Sequence, residues 1–324
     1  MRTPFAKSLL AAAMLAWGSM PLAPAFAAGE PSIPVIVKDT TSFYWQIVLA
    51  GARKAGVDLH VNVPELGATS EADINGQITI LENAVADKPA AIVIAPTQFK
   101  ALGAPIDEAA KSVKIIGIDS AADSKAFTSF LTTDNVQGGR AAADALAAGI
   151  KEKTGKQEGD VALLTNLPGV GSLDQRAQGF KEQLKKYPGL HLVAERIGDG
   201  QATSGLNATT DLLTSNPNLK GVFASNLIQA QGAGQAIAED KAQSTVTLIG
   251  FDNDDKLVGF LRDGVIYALI VQDPFRMGYD GVKTALAASK GEKVPAFVDT
   301  GVNTITKANM TSDRSKELLS PKVK

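Results

Sequence analysis

Residues 91–120 read AIVIAPTQFKALGAPIDEAAKSVKIIGIDS. The run 91–95 is apolar without polar alternation and stops at Pro96. A second such run, 113–118, stops at Asp119-Ser120, and residues 102–111 between them read as a helix. Short apolar runs of this kind mark strands buried on both faces. A helix joining two of them predicts a right-handed crossover in a parallel sheet.

The same beat continues in both directions. Upstream, 33–38 is an apolar run, 43–55 a helix, 58–63 strand-like, and 71–86 a helix with Ile74, Ile78, Leu81 and Val85 on one face. After the apolar run 127–131 the alternation restarts. Helices are expected at 135–153, 172–186, 204–215, 227–239, 255–262 and 275–289, and strands at 160–165, 190–197, 221–224, 246–251, 265–271 and 301–306. Asn216-Pro217 ends the third of these helices, because a residue preceding proline resists the helical region. The spacing predicts an α/β protein of two similar halves, switching near Thr133-Asp134.

With 324 residues, each half can bury its own core. Against 34 Asp+Glu stand 32 Lys+Arg, so the clustered positive field that holds nucleic acid is not expected. The absence of cysteine excludes disulfides, thiolate-bound metals and thiol catalysis. With only His60 and His191, histidine-based chemistry has little to draw on, and neither metal nor cofactor is expected. The chain opens with Arg2 and Lys7, an apolar run 9–17, Pro21, Pro24 and the small-x-small Ala25-Phe26-Ala27. This is the layout of an export signal covering 1–27. The run is shorter than the ~20 residues of a membrane span, so a soluble exported protein is expected.

Open α/β sheets bind ligands beyond the carboxyl ends of their strands. Those positions hold Lys38, Asp39, Ser42, Tyr44 and Trp45 after the first strand, then Asp119 and Ser120. They continue with the loop 166–171 and Arg176 one turn beyond it, then Asn226, Asp252 and Gln272. Carboxylates accept, a guanidinium donates, and amides do both, which suits the hydroxyls of a neutral polyhydroxylated ligand. Each residue also has an ordinary structural role. Asn226 and Asp252 fit helix caps, Tyr44 and Trp45 fit a core, Arg176 fits a solvated charge, and Lys38 fits an ion pair. Their shared position at strand ends carries the binding reading.

Seven motifs stand in order: Ser42-Phe43-Tyr44-Trp45, Ile94-Ala95-Pro96-Thr97, Ile116-Gly117-Ile118-Asp119, Thr133-Asp134-Asn135-Val136-Gln137-Gly138-Gly139, Gln175-Arg176-Ala177-Gln178-Gly179-Phe180, Val222-Phe223-Ala224-Ser225-Asn226 and Ile249-Gly250-Phe251-Asp252. Together they resemble the periplasmic sugar-binding proteins of the ribose-binding type. The resemblance implies two Rossmann-like lobes of the type I periplasmic binding protein fold, joined by a three-segment hinge. One lobe would be 28–133 plus 273–301, the other 134–272 plus 302–324. It implies a small sugar or sugar alcohol between them: a pentose, hexose or polyol. Tyr44 and Trp45 would stack on it. Asp119, Arg176, Asn226, Asp252 and Gln272 would bond its hydroxyls, with Lys38, Ser42 and Ser120 beside them. Further implications are a monomer in the periplasm, the permease of an ABC importer as partner, and a chemoreceptor as a second one.

The pattern departs from the family at four points. Asp119-Ser120 stands for Asp-Arg, Ser42 for Asn, and Gly200-Gln201 for an aromatic. Lys38 stands where a small polar residue is usual and restores donor capacity. A ligand other than ribose is therefore expected.

Rival functions have less support. No Gly-x-Ser-x-Gly elbow is present. A glycosidase would set Asp119 against Asp252, but Arg176 is expected to keep both ionised. Gly169-Val170-Gly171-Ser172 lacks a phosphate-loop lysine and reads as a tight turn. Asp252-Asn253-Asp254-Asp255 lacks the glycine and glutamate of a calcium loop and reads as a cap with surface charge. The space before residue 33 holds no helix-turn-helix of a regulator. A chemoreceptor-coupled sensor of a small polar non-sugar solute is the alternative.

Overall fold

A computed structural model describes residues 29–321 and 323. The expected export signal lies outside the described residues.

The first lobe opens with β1 (Val35–Val37), α1 (Phe43–Leu59), β2 (Glu65–Gly67), α2 (Ile74–Ala86), β3 (Ala91–Ile94), α3 (Gly103–Ala109), β4 (Lys114–Ile118) and β5 (Ser129–Thr132). The second follows with α4 (Asn135–Thr154), β6 (Gly159–Asn166), α5 (Gly171–Leu184), β7 (Leu190–Gly198), α6 (Ala202–Ser215), β8 (Leu219–Ala224), α7 (Leu227–Glu239), β9 (Thr247–Phe251), α8 (Asp255–Asp263) and β10 (Ala268–Gln272). Then come α9 (Pro274–Ser289), β11 (Phe297–Asp299), β12 (Val302–Thr306) and α10 (Asp313–Leu319). Two six-stranded sheets result, ordered β11-β5-β4-β3-β1-β2 and β12-β10-β9-β8-β6-β7. Every pairing is parallel except β10 with β12. The chain passes between sheets after β5, β10 and β11, because α9 packs on β3 and β4 while α4 packs on β8 and β9.

The expected apolar runs became the central strands: β3, β4, β8, β9 and β10 are buried almost throughout. The strand expected at 58–63 lies instead at Glu65–Gly67. Helix α1 runs through to Leu59 and ends on His60 in the left-handed conformation. The Val61 N–H then folds back onto the Gly56 carbonyl, so the apolar alternation there belongs to a turn. Strand β11, an exposed edge, and α10 carry too little apolar periodicity to be read from sequence.

Each lobe presses its two central helices together through a glycine pair. A Cβ on Gly139 of α4 would lie 2.0 Å from the Arg176 carbonyl oxygen, and one on Gly179 of α5 2.0 Å from that of Val136. The first lobe repeats this between α1 and α9: Gly51 would meet the Phe275 carbonyl oxygen at 2.0 Å and Gly278 that of Val48 at 1.9 Å. Only glycine permits such backbone approach. It fixes the two helices, α1 and α5, that carry aromatic and cationic candidates toward the space between the lobes. Among the described residues, no helix is long and apolar enough to cross a membrane.

Candidate functional site

The two lobes repeat one device at equivalent strands. β4 ends in Ile116-Gly117-Ile118-Asp119 and β9 in Ile249-Gly250-Phe251-Asp252. Both aspartates sit at positive φ, 61° and 68°. Their backbone N–H groups bond equivalent carbonyls, Leu131 and Ile270, on the neighbouring strands. A non-glycine residue in that region is uncommon, and here each lobe uses it to put one carboxylate into the space between the lobes.

That space is a narrow cavity that opens to solvent. Lys38, Ser42, Tyr44, Trp45, Asp119, Arg176, Asn226, Asp252 and Gln272 all line it. Of the ten candidates read from sequence, Ser120 alone does not; it lies behind Lys38, fully buried. The structural alternatives hold for Asn226, Tyr44, Trp45 and Lys38, but not for Arg176, which is buried, or for Asp252, since Asp254 is the cap of α8. Asn226 caps α7, accepting from the Gln229 N–H. Tyr44 and Trp45, in edge-to-face contact with ring centroids 4.8 Å apart, belong to the hydrophobic cluster of their lobe. Lys38 is ion-paired with Asp119. His191 is exposed on β7. Asp254 caps α8, and no group of three His, Asp or Glu among the described residues is placed to hold a metal.

Asp119 takes three polar contacts from its own lobe. Its Oδ1 accepts from the Tyr44 hydroxyl at 2.9 Å. Its Oδ2 accepts from Lys38 Nζ and from Ser120 Oγ, each at 2.8 Å. Burial works against its charged form, but Lys38 and Arg176 outweigh this and hold its carboxyl below the usual carboxylate range. Asp252 is the reverse. Burial raises it, and neither Arg176 nor the bond it accepts from Gln272 Nε2 at 2.7 Å brings it back. The expectation that Arg176 keeps both carboxylates low is therefore corrected. Desolvation wins at Asp252 because its cation stands off without forming an ion pair.

Arg176 lies 3% exposed with its guanidinium 3.7 Å above the Phe251 ring centroid. Its Nε donates to Asn135 Oδ1 and its Nη1 to the Ser225 carbonyl. An arginine has five such N–H donors. The others remain, and no carboxylate among the described residues pairs with it. Gln272 Oε1, also buried, has no hydrogen-bond partner among the described residues. The cavity thus offers spare donors and a spare acceptor, with indole and phenol rings beside them.

Two polar lining residues escaped the sequence reading. Glu71, on the loop between β2 and α2, accepts from Trp45 Nε1 at 2.6 Å, and burial raises its carboxyl despite Lys38 nearby. Nothing in its loop distinguishes it in sequence. Ser172 lines the wall formed by α5. It stands four residues before Arg176, a helical spacing that places both on one face and could have revealed it.

The family model described as a periplasmic binding protein domain matches residues 33–293. A carbohydrate transporter solute-binding protein from Agrobacterium radiobacter, solved in complex with D-arabinose, is 69% identical. It superposes with a TM-score of 0.90 over 91% of this chain and 100% of that one. A solute-binding protein from Agrobacterium vitis with bound D-fucose is 35% identical, with a TM-score of 0.84 over 89% of this chain and 99% of the other. The D-allose-binding periplasmic protein of Escherichia coli is 29% identical over 83% of this chain and 88% of that protein. Matched over most of its length, the chain belongs to the periplasmic binding protein family, and its two lobes have that family's type I fold.

Proposed function

We propose that the protein is the solute receptor of an ABC-type sugar importer, taking a monosaccharide between its lobes, with a pentose such as D-arabinose the first candidate. One observation carries this reading: Arg176 and Gln272, both buried at the cavity wall, retain unused donors and an unused acceptor. An unpaired buried polar group costs about 1–3 kcal/mol. A ligand whose hydroxyls donate and accept at the same atoms relieves both. Trp45 and Tyr44 supply apolar faces for the C–H side of a sugar ring. The relative solved with D-arabinose supports the pentose.

The carboxylates act here as acceptors, and the protein is read as a receptor rather than an enzyme. The hinge comprises the three passages near 133–134, 272–273 and 301–302, with lobes bounded as the sequence suggests. Sheet membership supports this division as far as Thr306. Closure about these passages brings Asp119 and Lys38 of one lobe against Arg176, Asn226 and Asp252 of the other. A sugar that touches both lobes only when they meet shifts the equilibrium toward closure. The closed face is what a membrane permease reads. The protein is exported to the periplasm, with cleavage after Ala27.

Thermal melting of the protein lacking residues 1–27, against a panel of pentoses, hexoses and polyols, tests the reading. Saturation at 100 times Kd stabilises by about 2.7 kcal/mol. A clear rise with D-arabinose or a related monosaccharide is expected. Flat curves across the panel overturn it.

A further inference from the structure

The lobes meet through a side-chain bond at the cavity wall. Ser120, after β4 of the first lobe, and Ser172, in the first turn of α5 of the second, place their Oγ atoms 2.8 Å apart. Both are buried, 1% and 3% exposed. Ser120 Oγ has two further neighbours, Lys38 Nζ at 2.6 Å and Asp119 Oδ2 at 2.8 Å.

The chemistry of these groups fixes every proton. An ammonium only donates, so Lys38 donates a hydrogen bond to Ser120. A carboxylate only accepts, so Ser120 spends its single proton on Asp119. Ser120 then has one lone pair left, and Ser172 must donate into it. The first lobe's ion pair is thereby tied to the second lobe through a hydroxyl whose capacity is entirely used. A second bond spans the lobes nearby: the Phe99 N–H donates to the Gly169 carbonyl at 2.9 Å. Gly169 holds a φ of +77°, and a Cβ there would stand 2.6 Å from Gln98 Nε2 of the first lobe.

Neither bond involves a ligand, and neither survives separation of the lobes. We propose that Ser172, acting through Ser120 on the Asp119–Lys38 pair, is a positioning residue that favours lobe closure and thereby sets how long a bound sugar is retained. The retention claim rests on the sugar-receptor reading; the closure claim stands without it.

The chain has no cysteine, so dyes can be attached cleanly at Val57→Cys and Ile197→Cys, positions 74% and 61% exposed, one in each lobe. Single-molecule energy transfer on the sugar-free protein then reports the ratio of closed to open molecules. Ser172→Ala should lower that ratio about threefold to tenfold, the effect of one buried neutral hydrogen bond. Ser172→Thr, which keeps the hydroxyl, should restore it. Gly169→Ala, which disturbs the other bond away from the cavity, should lower it as well. In stopped flow, D-arabinose should leave Ser172→Ala faster by the same factor. An unchanged ratio together with an unchanged dissociation rate in a folded Ser172→Ala protein overturns the proposal. A lowered ratio in proteins that bind no sugar upholds the closure role and overturns the sugar reading instead.

Discussion

Replacing Arg176 by lysine separates the guanidinium's geometry from its charge. The positive charge stays in the cavity, so Asp119 and Asp252 are not left facing each other without a cation. What disappears is the planar fork, held 3.7 Å over the Phe251 ring centroid while it bonds Asn135 and the Ser225 carbonyl. An ammonium is a compact donor that cannot serve these partners and a ligand together. A hydrogen bond from a charged donor contributes about 1.5–3 kcal/mol. At about 1.4 kcal/mol per tenfold, removing each guanidinium bond to the sugar should weaken binding roughly 10- to 150-fold. Calorimetric titration of Arg176→Lys with D-arabinose at pH 7 measures this, with a melting curve to show that the variant is folded. An affinity within threefold of wild type would refute the reasoning, because the spare N–H groups would then have no part in holding the sugar.

Three other outcomes follow from the same geometry. Burial raises Asp252 above its ordinary value, so its charge costs the folded state nothing where both states are protonated, below about pH 4, and most once the pH exceeds the folded value. Asp252→Asn, tolerated at positive φ, should raise the sugar-free melting temperature at pH 7 and not at pH 4, while D-arabinose binding weakens at least about tenfold; an equal change in melting at both pH values would contradict the assignment. Glu71→Ala removes the acceptor of the Trp45 indole N–H, so it should shift tryptophan emission and weaken D-arabinose binding about threefold to tenfold, whereas Glu71→Gln keeps the acceptor and most of both. Gly139→Ala drives a methyl against the Arg176 carbonyl and should cost about 1–3 kcal/mol in urea unfolding, whereas Gly259→Ala in α8, with open space around it, should be neutral or stabilising.

The alternation of apolar runs and helices was legible because buried parallel strands and their covering helices write their environment directly into composition. The residues following those strands were legible for the same reason: a polar group at the end of a buried strand stands out. Lys38, Asp119, Arg176, Asn226, Asp252 and Gln272 were found this way. Glu71 was not. Its loop, 68–73, has no period, and only the approach of Trp45 makes it part of the cavity wall. The second strand was misplaced because 58–63 alternates like a strand while its backbone closes a helix.

The local rules of the chain therefore determined the two-lobed α/β framework and most of the polar groups at its strand ends. Tertiary structure decided what those groups do to one another. Asp119 and Asp252 end nearly identical motifs, yet one carboxyl is lowered by a lysine in contact and the other raised by burial beside an arginine that stands off. Charge interactions and hydrogen-bond valence depend on separations of a few ångströms between residues far apart in sequence, and those separations exist only once both lobes are packed.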